Sequence, residues 1–248
     1  MFLISANPEF GKKKMEEYGK KRLLPFGRLY CMMRYRKTDA AEGWNMCCRY
    51  YMELSPELRP IVEEMNRSPL VRRFQETSAV LTSGEIRPSN VAPVIASNRN
   101  GKRAVFPMKW GFNVSGRPLL INARVETAAE KPTFREAWKA HRCIVPASWY
   151  YEWEHRTRTD GKTETGDKYM IQPEGSAAAW MCGLYRIENG LPVFVILTQE
   201  AEEPIRFIHD RMPMMLPEER IEEWIRPDCD AAEIAAFAQK NMVFEKAG

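Results

Sequence analysis

The middle of the chain is a succession of short apolar runs cut by turn residues, and this limits the available folds most. Cys143-Ile144-Val145 and Trp149-Tyr150-Tyr151-Glu152-Trp153 read as strands around a Pro146-Ala147-Ser148 turn. Tyr169–Gln172, Ala178–Leu184 and Pro192–Thr198 read as further strands, the last two joined through Asn189-Gly190, a dipeptide suited to a tight hairpin. Upstream, Arg49–Leu54 and Phe106–Phe112 have the same character. Helical signals lie outside this block. Ser55-Pro56 opens one helix running to about Asn66, with Pro60 as a restart or kink. Thr133–Glu136 and Asp230–Glu233 have the form of capping boxes, and a helix from Pro217 buries Ile221, Trp224 and Ile225. Strands and helices do not alternate as βαβ units. The expected class is therefore α+β, with a mixed, partly barrel-like sheet flanked by helices.

Several stretches read as irregular. Residues 82–107 are expected to be loops with short strands, and Arg87–Pro93 a rigid, extended surface segment. Residues 155–167, nearly devoid of apolar side chains, are expected to be an exposed loop, with His155 solvated at its edge. His141, Cys143 and Cys182 read as packed core residues.

Residues 1–45 hold ten Lys/Arg against five acids, and the remaining chain 27 against 28. The formal charge of +4 thus belongs to a segment without sustained periodicity. That segment is read as an extension, either a mis-assigned start or a removable leader, before a single domain over 46–248. A nucleic-acid reading must then rest on a local patch. The six Cys residues show no CxxC pair, which suits free thiols, and three His residues supply a metal site poorly. No metal or cofactor is expected. No apolar run approaches the roughly 20 residues of a membrane span, and the expected location is the cytoplasm.

Reactive residue types concentrate in four segments: Met46-Cys47-Cys48-Arg49, Ile121–Thr127, Arg142–Trp153 and Phe207–Pro213. If Met46 is removed, Cys47 carries an α-amine and a thiol on adjacent carbons, a pair no internal residue offers. Both groups are partly nucleophilic near neutrality, with reference pKa values of about 8 and about 8.5. Glu152, between aromatics, is suited to proton exchange near neutrality. His209 sits among Asp210, Arg211 and Pro213. Structural alternatives stand beside each reading. Cys47 and Cys48 would also suit a buried pair, Asn122 a turn cap, Glu152 a partner for Arg142 or Arg124, and His209-Asp210 a loop ion pair.

Together the segments resemble the SRAP family of abasic site processing proteins. Its pattern is Met-Cys-Gly-Arg, Asn-Ala-Arg-x-Glu, Pro-Ala-x-x-(Phe/Tyr)-Tyr-Glu-Trp, Gly-Leu-(Trp/Tyr) and His-Asp-Arg-Met-Pro. The chain carries the five in order, with Cys48 in place of the usual Gly. The resemblance implies covalent capture of abasic sites in single-stranded DNA by an N-terminal Cys47, protecting the lesion in the DNA damage response. By matched position, Asn122 would orient the Cys47 amine, Glu152 would move protons to and from it, and His209 would serve as acid/base at the sugar oxygen. Arg49 and Arg124 would hold phosphates, and Trp110, Trp153 and Pro93 would stack on or wedge between bases. The protein is expected to act as a monomer, nucleoid-associated. Two alternatives remain: a thiol peptidase using Cys47, His209 and Glu152, and a non-covalent single-strand binding module.

Overall fold

A computed structural model describes residues 48–247. Twelve strands fall into two sheets. One contains β3 (Val91–Ser97), β4 (Arg103–Trp110), β5 (Asn122–Arg124), β6 (Arg142–Ala147), β9 (Ala179–Glu188), β10 (Leu191–Glu200) and β11 (Arg211–Pro213). The other orders β12 (Met242–Lys246), β8 (Thr163–Pro173), β7 (Trp149–Thr157), β1 (Arg49–Met52) and β2 (Gly84–Ile86), all antiparallel.

The first sheet closes on itself. β10 pairs with β4, β4 with β3, β3 with β6, β6 with β9, and β9 with β10 again. The β10–β4 pair is parallel and the other four are antiparallel, so the ring is mixed, as the strand pattern implied. Gly183 fits this closure by its lack of a side chain. A Cβ there would lie 2.8 Å from the Val195 carbonyl oxygen and 3.0 Å from the Cys143 sulfur. Closure also explains the apolar composition of these strands, because a five-strand ring leaves its interior only to side chains. Val94, Ile95, Ile144, Val145, Cys182, Leu184, Val195 and Ile196 are buried in it or against it.

Six short helices cover the sheets: α1 (Arg59–Asn66), α2 (Leu70–Gln75), α3 (Val125–Ala128), α4 (Arg135–Ala140), α5 (Ile221–Ile225) and α6 (Ala231–Ala235). Pro60 starts α1 instead of kinking it, because its missing N–H falls where no intrahelical partner exists. Asp230 caps α6, accepting from the amides of Ala232 and Glu233 at 2.8 and 3.4 Å. The box at Thr133 does not form. Phe134 takes the cap position of α4, with no side-chain cap.

Three expectations are corrected here. Arg87–Pro93 does not stay on the surface, because from Val91 onward it is the buried strand β3. Residues 155–167 are not a loop but the arms of the β7–β8 hairpin, turned at residues 158–162. Past α6 the chain adds the strand β12 to the second sheet instead of remaining helical to Asn241.

Among the described residues no helix is long and apolar enough to cross a membrane.

Candidate active site

β1 and β7 organise the site. Their register pairs Arg49 with Tyr151 and Tyr50 with Tyr150. Strand side chains alternate between faces, so Tyr50, Tyr150 and Glu152 share the inner face while Arg49, Tyr51, Tyr151 and Trp153 share the outer one. Continuing the register by one residue sets Cys48 opposite Glu152. Glu152 is 4% exposed, and its Oε1 accepts from the Trp153 amide at 3.2 Å. Burial raises the Cys48 thiol above its ordinary value, and the Glu152 carboxylate raises it further. Arg49 acts in the opposite direction and is outweighed. Cys48 is therefore a protonated thiol near neutrality and a poor nucleophile. Cys47 lies outside the described residues, as do Met46 and the segment before it.

His209 belongs to the segment between β10 and β11 and is 7% exposed. Its Nδ1 lies 3.0 Å from the Arg211 amide and 2.8 Å from an Asp210 carboxylate oxygen. One nitrogen cannot accept from the first and donate to the second. The Asp210 side chain is 81% exposed and its attraction is screened, so we assign the neutral ring, with Nδ1 accepting and the proton on Nε2. Burial and the neighbouring His155 depress the His209 pKa to about 4, against the weaker pull of Asp210. Nε2 is buried and has no hydrogen-bond partner among the described residues.

Asn122 opens β5, where it pairs with Ile196, and its side-chain oxygen is shielded from solvent. Two motifs are physically joined at this point. Arg211 grips Glu126 with two hydrogen bonds, at 2.5 and 2.8 Å, and donates to the Thr198 carbonyl at 2.7 Å. Burial opposes the charge on Glu126, but Arg211 outweighs it and holds that carboxyl below its ordinary value. Bidentate pairs of this kind fix geometry as well as charge. The segment carrying Asn122 and the segment carrying His209 are thereby tied across β10.

The outer face of the β1–β7–β8 sheet is rich in cations and rings. Arg49 donates to Glu85 at 2.9 Å and lies 5.1 Å from the centre of the Trp153 ring. The Lys168 ammonium sits 3.6 Å over Tyr151, and Tyr51 stacks on Trp149 with centroids 4.6 Å apart. Arg124 is exposed at the end of β5.

Other expected site residues fall elsewhere. Trp110 is completely buried, donates its indole N–H to the Ile121 carbonyl at 2.9 Å and packs on Tyr50 and Phe194. Pro93 is buried in β3, opposite Pro107. Neither ring reaches a surface where a base could stack, and both are corrected to core residues. Arg142 does not pair with Glu152. Its guanidinium donates to the carbonyls of Trp224, Trp138, Lys139, Cys229 and Arg226.

The sequence also concealed one neighbour. His155 is half-buried instead of solvated, and its ring centre lies 4.4 Å from that of His209. Among the described residues no three His, Cys, Asp or Glu side chains gather as a metal set.

The abasic site processing protein YoqW of Bacillus subtilis (strain 168) is 33% identical over 198 residues, covering 73% of this chain and 81% of its own. YedK of Escherichia coli (strain K12), also named an abasic site processing protein, is 32% identical over 62% of this chain and 71% of its own. A crystal structure of a protein from Bacteroides thetaiotaomicron superposes with a TM-score of 0.62 at 23% identity, covering 82% of this chain and 92% of that one, which shows a shared fold. The family model described as SOS response associated peptidase (SRAP) matches residues 46–246, and the chain belongs to that family.

Proposed function

We propose that this chain captures abasic sites in single-stranded DNA covalently, using Cys47 as the first residue after loss of Met46 and what precedes it. The ring-opened deoxyribose presents an aldehyde at C1′. The Cys47 amine adds to that carbon, and loss of one water gives an imine. The thiol then adds across the C=N bond, its proton passes to nitrogen, and a five-membered thiazolidine closes. This is nucleophilic catalysis that stops at the covalent stage.

The observation that carries the reading is the proximity of Cys48 to Glu152, because Cys47 is bonded directly to Cys48. A carboxylate one residue from the new amine is suited to shuttle its proton. In this reading Asn122 orients the amine. Neutral His209 moves a proton at the sugar ring oxygen during ring opening and reversal. Arg49 and Arg124 meet phosphates, and Trp153 stacks on a base. The cation-and-ring surface around Arg49, Lys168 and Trp153 supports a single-stranded partner, since such surfaces track a backbone and stack bases without reading sequence. Trp110 and Pro93 have no part in it.

The test is adduct formation with an oligonucleotide bearing one abasic site. Protein beginning at Cys47 is expected to give a heat-stable adduct, Cys47→Ala none, and Glu152→Gln an adduct formed about 100-fold more slowly. Chain retaining residues 1–46 is expected not to react, as read by intact mass. An undiminished adduct from Cys47→Ala would overturn the thiazolidine. Cleavage of unrelated peptides by the full-length chain would replace this reading with a peptidase.

A further inference from the structure

The pairing of β7 is irregular beside the site. Its register with β8 slips between Trp153 and His155. The extra residue lies on β8, where Gly166 and Asp167 oppose Glu154 alone, and such irregularities concentrate beside active sites. Beside it the His155 ring meets His209, with centroids 4.4 Å apart and planes inclined at 58°. The contact is fastened by the backbone too, since the His155 amide donates to the Ile208 carbonyl at 3.1 Å. Strand and loop are therefore joined at the residue preceding His209.

We propose that His155 is a positioning residue for His209, holding that imidazole in one orientation and uncharged, with Nε2 left for the substrate. The proposal rests on the role given to His209 above. The groups acting on His209 are His155 from β7 and Asp210 and Arg211 from its own segment. Arg211 is engaged by Glu126, and Asp210 is largely in solvent, which leaves His155 as the ionisable group built against the ring. Two imidazoles in contact resist simultaneous protonation, so one keeps the other neutral. A neutral His209 with Nδ1 capped by an amide offers one defined N–H to an oxygen, and later one defined lone pair.

The experiment is an NMR titration of the His209 ring in the full chain, wild type against His155→Asn and His155→Phe. The wild-type midpoint is expected near 4. His155→Asn should move it up towards the ordinary imidazole value of about 6.5, since it removes both the opposing charge and some of the covering ring. His155→Phe keeps the packing and should move it up by less. The acid limb of the rate of adduct formation, read on the same variants beginning at Cys47, should shift with the midpoint. Unmoved midpoints in both variants overturn the proposal. So does a moved midpoint with an unmoved rate profile, provided His209→Asn slows the reaction. If His209→Asn leaves the rate unchanged, the role assigned to His209 fails, while the titration still decides whether His155 governs its charge.

Discussion

Five polar or charged side chains are buried among the described residues, and their partners sort them. Arg142 serves backbone carbonyls, the Ser148 hydroxyl accepts from the Glu53 amide, and Thr198 donates to the Ala123 carbonyl. Glu152 accepts from the Trp153 amide, and His209 is different, since its Nε2 has no hydrogen-bond partner among the described residues. Buried groups of that kind are expensive unless they have work to do. The residue scale also carries a stability consequence. His209 titrates near 4 in the fold and near about 6.5 when unfolded, so the unfolded chain binds the extra proton between these values. The stabilisation is complete above pH ~6.5 and is lost as pH falls towards ~4. The melting temperature should therefore drop from pH 6.5 to 5, and His209→Phe should flatten that drop. A slope unaltered by the substitution would count against the buried neutral ring. Glu152 and His209 were both marked as candidates by their motifs. His155 was not, because its partner ring His209 lies more than fifty positions along the chain and no local pattern joins the two.

At the scale of elements, Gly183 shows what a sequence motif can conceal. Gly-Leu-Tyr reads as a signature, yet the glycine has a steric cause: β9 approaches β10 and β6 too closely for a methyl group. Gly183→Ala should cost about 1–3 kcal/mol through overpacking, measured by urea unfolding, without altering any group assigned to chemistry. Wild-type stability in that variant would mean the closure is looser than described. The β7–β8 hairpin gives the opposite lesson. Its arms past residue 155 are exposed on both faces, so no apolar alternation marks them. They are held by cross-strand charge, with Arg156 bridging Glu154 and Asp167 at 2.8 and 2.9 Å. Periodicity finds a strand only where one face is dry. β12 was missed because a five-residue strand after a helix carries too few alternations to separate it from helical continuation. The capped start of α6, in contrast, was legible to the residue, since a cap is a local event.

Over the whole molecule, the strand content and the mixed, closed sheet followed from the order of apolar runs, but which strands would meet did not. Pairings such as β4 with β10 join residues more than eighty positions apart and leave no local trace. Arg142 holds such distant parts together. From the start of β6 it reaches carbonyls at the ends of α4 and α5 and at Cys229 beyond. Arg142→Met should remove at least about 3 kcal/mol, since it leaves several buried carbonyls unpaired. The measurement is again urea unfolding, and a change under 1 kcal/mol would refute the clamp. The ring of strands has one more consequence, which concerns time. β10 is the last of its five members to be made, some ninety residues after β4. Ribosomes add about 5–20 residues per second, so β3 and β4 wait roughly 5–20 s with their edges open before their enclosure can exist. The chain is most exposed to mispairing during its own synthesis, and the ring that seals the finished protein cannot close until β10 has arrived.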